Sequence, residues 1–154
     1  MRLLLTTLII TVVAAMLMGS VSLAANVSIL NGNVDLVVST VSAGSEPDSD
    51  IDQTTQLQWD NWPNSAPTKK IAVQTNLASP QFVLTAQAIN ITPSDGTSAG
   101  EVQLSTSATD FINSIPAKDS PDNATCDLRY KATALAADGT GVDTHTITYT
   151  IVDQ

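Results

Sequence analysis

The chain has 154 residues, and its fifteen acidic and six basic residues give a formal net charge of −9 at pH 7. A surface this negative repels phosphate backbones, which argues against nucleic acid as a partner. The single cysteine cannot close a disulfide within the chain, so the fold must be held by packing or by association with other chains.

The first predicted element is a signal peptide over residues 1–24. Arg2 precedes the apolar run LLLTTLIITVVAAMLM, and Ser22 and Ala24 supply the small residues that a signal peptidase accepts. A retained membrane anchor is the alternative, and it is disfavoured because no basic stop-transfer segment follows the run. Residues 25–154 then form one predicted domain, secreted or at the cell surface, in an extracellular or periplasmic location.

The segment NVSILNGNVDLVV, residues 26–38, is the first predicted strand region. Val27 and Ile29 alternate as in a strand, and Asn31-Gly32-Asn33 has the composition of a hinge or a tight turn. Two interpretations have equal weight. Val27 and Ile29 could belong to an assembly strand donated to a neighbouring subunit, or residues 26–38 could form the first two strands of a closed monomer.

The next stretch, EPDSDIDQ, raises the possibility of a metal site. Asp48, Asp50 and Asp52 have the alternating spacing with which calcium loops begin, but an EF-hand would need Gly and Glu where Gln53 and Trp59 stand. A looser calcium site remains an alternative. The favoured prediction is a solvated acidic loop and a protein without cofactors.

Two tryptophans follow the acids. Trp59 lies at strand spacing from Leu57, so both are predicted to face the core, whereas Trp62 precedes Pro63 and is the candidate for an exposed, sugar-stacking aromatic. Its polar neighbours would supply hydrogen bonds to a glycan: Asp60, Asn61 and Asn64.

The remaining segments read mostly as strands. KIAVQTN and QFVLTAQAINIT predict an antiparallel pair over residues 70–92, GEVQL a further strand, and SATDFINSI a one-turn helix or a loop. TCDLRYKATALA and THTITYTIV both alternate strictly, and ADGTGVD between them has turn chemistry, which predicts a C-terminal β-hairpin. Cys126 is predicted to point inward.

These elements predict an all-β fold, an immunoglobulin-like antiparallel β-sandwich of about seven to nine strands. His145 is the only histidine, no G-x-S-x-G motif is present, and no pair of carboxylates stands out, so the chain is not expected to be an enzyme.

The leader, the threonine-rich strands, KKIAVQTN, CDLRYKATA and the closing HTITYTI together resemble small exported bacterial β-sandwich proteins, among them fimbrial and spore-coat-like surface-fibre subunits. The resemblance implies a structural or adhesive surface protein, a fibre subunit that assembles with copies of itself or with other surface proteins. The chain departs from the chaperone-usher pilins, which commonly carry a disulfide pair. A carbohydrate- or calcium-binding module using residues 46–64 is the alternative function.

Overall fold

A computed structural model describes residues 25–38, 49–120, 122–135, 137 and 141–154. The predicted signal peptide, residues 1–24, lies outside the described residues. Within them no helix is long and apolar enough to cross a membrane.

The described residues form nine β-strands and no α-helix. The strands are β1 (Asn26–Leu30), β2 (Asp50–Asp60), β3 (Lys69–Thr75), β4 (Val83–Thr92), β5 (Thr97–Ser98), β6 (Val102–Gln103), β7 (Thr109–Ile115), β8 (Ala124–Thr133) and β9 (Ile147–Asp153). One sheet has the order β1-β2-β8-β4-β6 and the other β5-β7-β3-β9, and every pairing is antiparallel. This confirms the predicted all-β fold with two antiparallel sheets.

The core lies between the two sheets and is built by strand alternation. In β8, Cys126, Leu128 and Tyr130 are buried while the residues between them are partly exposed, as predicted. Trp59 is also buried, at 1% exposure, which confirms its predicted place in the core. From the opposite sheet, Tyr149 meets Tyr130 through a 2.9 Å contact between their hydroxyl oxygens, so a hydrogen bond joins the sheets inside the core.

The predicted C-terminal hairpin is wrong. β8 lies between β2 and β4 in the five-stranded sheet, whereas β9 pairs with β3 in the other sheet. Alternation shows which face of a strand is buried but not which strand it pairs with. Two alternating strands can lie side by side in one sheet or face each other across the core. Here Tyr130 of β8 and Tyr149 of β9 face each other across the core.

Two predictions for the middle of the chain also need correction. β3 and β4 do not pair, because the chain crosses from one sheet to the other between them. The segment predicted as a helix or loop contains β7, a full strand at Thr109–Ile115. Its alternation is broken because Phe111 and Ile112 are both fully buried, next to a register shift in the β3–β7 pairing.

We expect Trp59→Ala to lower the free energy of unfolding by about 3–5 kcal/mol, because it empties a fully buried site in the core. Trp62→Ala is the matched control, since Trp62 is only half-buried, and its loss should be clearly smaller. Urea denaturation followed by circular dichroism measures both. Equal losses would contradict the assignment of Trp59 as the core anchor.

Candidate functional site

One side of the sandwich is bounded by two complete strands. β1 is the outermost strand of the five-stranded sheet and β9 that of the four-stranded sheet, and the two strands contact each other. A cavity of about 300 Å³ lies between them. Its lining residues come from β1, β2 and β9: Val27, Ser28, Ile29, Leu57, Ile147, Thr148 and Tyr149. We call this side the β1/β9 side.

The outer edge of β9 pairs with no other strand among the described residues. The amide of Gln154 donates to the carbonyl of Thr68, and that of Asn76 to the carbonyl of Thr146, both in the register of the β3–β9 pairing. Antiparallel pairing alternates, so even-numbered residues of β9 bond to β3 and odd-numbered residues turn their N–H and C=O groups away from it. The residues whose backbone N–H and C=O groups point away from β3 are Ile147, Tyr149, Ile151 and Asp153.

Neither strand on this side carries a proline or an unpaired charge, two features that often block strand addition. β1 has no charged residue and no proline, and the one charged residue of β9, Asp153, forms an ion pair with Lys69 of the adjacent strand. By contrast, the other outermost strands, β5 and β6, have two residues each, and very short strands are a common protection of sheet edges. The β1/β9 side is therefore the surface best suited to accept another strand.

The predicted assembly residues lie on this side. Val27 is opposite Trp59 and packs against the core, whereas Ile29 is opposite Leu57 and remains 41% exposed. After β1, Asn31 adopts a positive φ of 62°, a conformation that Asn tolerates better than most residues. β1 pairs with β2 of its own chain, and the chain turns immediately after it.

The predicted sugar-binding residues do not converge on one contact. The indole N–H of Trp62, which is half-buried, donates to the carbonyl of Asp119 at 3.3 Å. Asp60 ends β2, where its carboxylate accepts a 3.4 Å bond from the amide of Asn26, and Asn64 is exposed in the following turn. Sugar stacking on Trp62 stays a prediction.

Asn61, also considered as a sugar ligand, has a structural place. It is 2% exposed, and its side-chain amide donates to the carbonyls of Pro67 at 3.1 Å and Ile115 at 3.2 Å. Its backbone carbonyl accepts from the backbone amide of Lys118 at 2.8 Å. Asn61 therefore anchors the loop that follows β2 to the core.

The candidate calcium ligands belong partly to β2. Asp50 and Asp52 lie within that strand rather than in a loop, so the strand begins earlier than predicted, and Asp48 lies outside the described residues. The carboxylate of Asp50 accepts from the amide of Val37 at 2.7 Å, and that of Asp52 from the amide of Thr54 at 2.9 Å. No group of three or more metal-ligating side chains occurs in the part of the chain that the structure describes.

The thiol of Cys126 and the imidazole of His145 are the side chains most suited to nucleophilic or acid–base chemistry, and both are held within the fold. Burial raises the pKa of the Cys126 thiol to about 12, and β8 is a central strand, so this thiol is neither reactive nor placed at an edge. His145 precedes β9, and its Nδ1 lies 3.0 Å from the hydroxyl of buried Thr75. Burial lowers the pKa of His145, and the nearby charge of Asp143 opposes this shift.

We expect acidification to weaken the start of β9. Because the folded-state pKa of His145 lies below its ordinary value of 6.5, the unfolded chain binds the proton more readily, and stability falls as the pH drops through that value. His145 is the only histidine, so urea denaturation at pH 7 and at about pH 5.5 isolates its effect from the carboxylates. The His145→Gln variant should lose less stability over this interval, and an equal loss in both proteins would contradict the assignment.

Comparisons with known proteins give no relative for this chain. No protein-family model matches it, and neither the curated proteins nor the solved structures contain a significant match. Its function must therefore be argued from its own residues.

Proposed function

We propose that this protein is an exported, non-enzymatic structural or adhesive surface protein that associates through the strand edges of its β1/β9 side. The observation that carries the proposal is the outer edge of β9, a strand of seven residues that pairs with no second described strand and lies beside β1, the outermost strand of the other sheet. Paired strands satisfy the backbone groups that an edge leaves to water. A strand edge of this length is therefore a ready surface for assembly.

A strand added to β9 would be held by backbone hydrogen bonds and by apolar contacts. The outward N–H and C=O groups of its odd-numbered residues would form new sheet hydrogen bonds, each contributing about 0.5–1.5 kcal/mol net. Ile29, 41% exposed on β1, and Val152, 37% exposed on β9, would add apolar contact. The free energy gained by adding a single strand is modest. A stable assembly therefore needs pairing along both β1 and β9, or the exchange of a strand between subunits.

Both routes are open to this fold. Because β1 and β9 lie on the same side, a two-fold arrangement would pair both edges at once and close as a dimer. Exchange of β1 through the Asn31-Gly32-Asn33 segment would place it on β2 of a neighbour, and an arrangement that does not close continues as a filament. The two routes differ in their need for β1 to leave its own domain.

A non-enzymatic role is supported by the placement of the reactive residue types. The thiol of Cys126 is buried in the core, and the imidazole of His145 bonds to Thr75. A glycan- or calcium-binding role has less support, because the indole N–H of Trp62 and the carboxylates of Asp50 and Asp52 already accept or donate bonds within the chain.

The first test is the mass in solution of residues 25–154, measured by light scattering over a range of concentrations. We expect concentration-dependent oligomers. Ile151→Lys places a charge in the β1/β9 side and should shift the protein towards monomer, because inward-facing charges on edge strands oppose pairing. Gln74→Lys adds the same charge to the central strand β3 and should leave the oligomers unchanged.

Deletion of residues 25–33 removes β1, which both routes use, so the truncated protein should be monomeric. Oligomers that persist after the deletion would show association through the β9 edge alone. Circular dichroism and thermal unfolding confirm that each variant is folded. A full domain that stays monomeric at every concentration, or one that Gln74→Lys dissociates as well as Ile151→Lys, would overturn the proposal.

A further inference from the structure

The segment that follows β1 contains Asn31-Gly32, the only place in the chain where an asparagine precedes a glycine. The side-chain carbonyl of an asparagine can be attacked by the backbone nitrogen of the next residue, which closes a cyclic imide. The attack is fastest before glycine, because glycine has no Cβ to obstruct the approach and leaves the backbone free to rotate. Asn31 is therefore the asparagine whose neighbour least hinders this reaction.

Both reacting groups are accessible. Asn31 and Gly32 are exposed, and the pairing of β1 with β2 ends before them, at Leu30. The side chain of Asn31 makes no hydrogen bond to another described residue, and the backbone amide of Gly32 donates to no described carbonyl. The attacking nitrogen and the carbonyl group it attacks thus have no competing bond within the part of the chain that the structure describes.

The backbone around this dipeptide leaves room for ring closure. Asn31 has a positive φ of 62°, so the chain has already left strand geometry, which would hold its N–H groups in the sheet. A Cβ built on Gly32 would meet no atom within 4 Å, so nothing packs against the turn at this point. Movement of the Gly32 nitrogen towards the Asn31 side chain is therefore not opposed by packed neighbours.

The other asparagines lack this combination, since each precedes a residue with a side chain. Asn61 is buried, and the side-chain amide of Asn90 donates to the carboxylate of Asp127 at 2.8 Å. Asn33 is the closest comparison, because it is exposed in the same segment. It precedes Val34, whose branched side chain obstructs the attack and packs against the core.

We infer that Asn31-Gly32 is a self-modifying site, at which Asn31 converts to aspartate and isoaspartate. The backbone nitrogen of Gly32 loses its proton and bonds to Cγ of Asn31, while the bond from Cγ to Nδ2 breaks and ammonia leaves. Water then opens the cyclic imide at one of its two carbonyl carbons. One opening gives aspartate, and the other gives isoaspartate, in which the main chain runs through Cβ and Cγ. Water is the only co-reactant.

The product places a carboxylate next to the end of β1, a strand without charged residues. The chain already has a net charge of −9, and exposed Asp35 lies in the same segment, so two associating copies would bring additional like charges together. This consequence rests on the proposed function, in which β1 pairs with or passes to a neighbouring copy. Conversion of Asn31 then weakens association as the protein ages.

The test incubates residues 25–154 and follows each asparagine by peptide mass spectrometry. Asn31 should convert steadily, and faster in mildly alkaline than in mildly acidic buffer, because the attacking nitrogen must lose its proton. We expect its rate to exceed that of Asn33 by roughly tenfold or more. Labelling by an isoaspartyl methyltransferase should identify isoaspartate at position 31.

Gly32→Ala is the matched control. The structure has room for the added methyl group, so the variant should fold like the wild type, which thermal unfolding checks. The methyl group hinders the attack and should slow conversion of Asn31 roughly tenfold. Wild-type Asn31 that converts no faster than Asn33, or an unchanged rate in Gly32→Ala, would overturn the inference.

Asn31→Asp carries the new charge from the start and tests the effect on assembly. Its oligomers should dissociate with a constant roughly twofold to fivefold above that of the wild type, measured by light scattering. Gln103→Glu adds the same charge on β6, at the opposite edge of the sheet, and should leave the constant unchanged. Equal constants for Asn31→Asp and the wild type would overturn the effect on assembly. A wild type that is monomeric throughout would overturn the proposed function, and the rates at Asn31 and Asn33 would still decide the modification.

Discussion

The packing of β8 against β9 across the core is the constraint on which the rest of the structure depends. Tyr130 of β8 meets Tyr149 of β9 in this contact, and the ring of Tyr149 also packs on Phe111 with centroids 5.2 Å apart. Once β9 faces β8, it cannot pair with it, so β9 joins β3 and becomes the outermost strand of its sheet. The free edge proposed for assembly is thus a direct result of how the core is filled.

Much of the fold could be predicted from alternation, but the pairing of strands could not. The inward faces of β8 and β9 and the buried position of Trp59 follow from period-two patterns and side-chain size. A strand's partner depends on long-range contacts that leave no local signal, so the hairpin was predicted where a sheet crossing occurs. β7 was missed because its two adjacent buried residues, Phe111 and Ile112, do not alternate.

The candidate sites were predictable to different degrees. Val27 and Ile29 could be placed in a strand, because a short alternating segment near a hinge composition is a local pattern. The free edge of β9 could not, since the predicted hairpin would have covered it. Nor could the unpartnered hydroxyl of Thr55, because one threonine among many becomes distinctive only when its burial and its lack of a partner among the described residues are seen together.

The central position of Cys126 has a consequence for where this domain can fold. Its thiol is enclosed by the core and takes part in no disulfide, so none of the native contacts requires oxidation. The same structure can therefore form under reducing and oxidising conditions, without help from enzymes that make or rearrange disulfides. Addition of a reductant should leave the domain intact, and an oxidant should react slowly with the single thiol of the chain, because the core shields it.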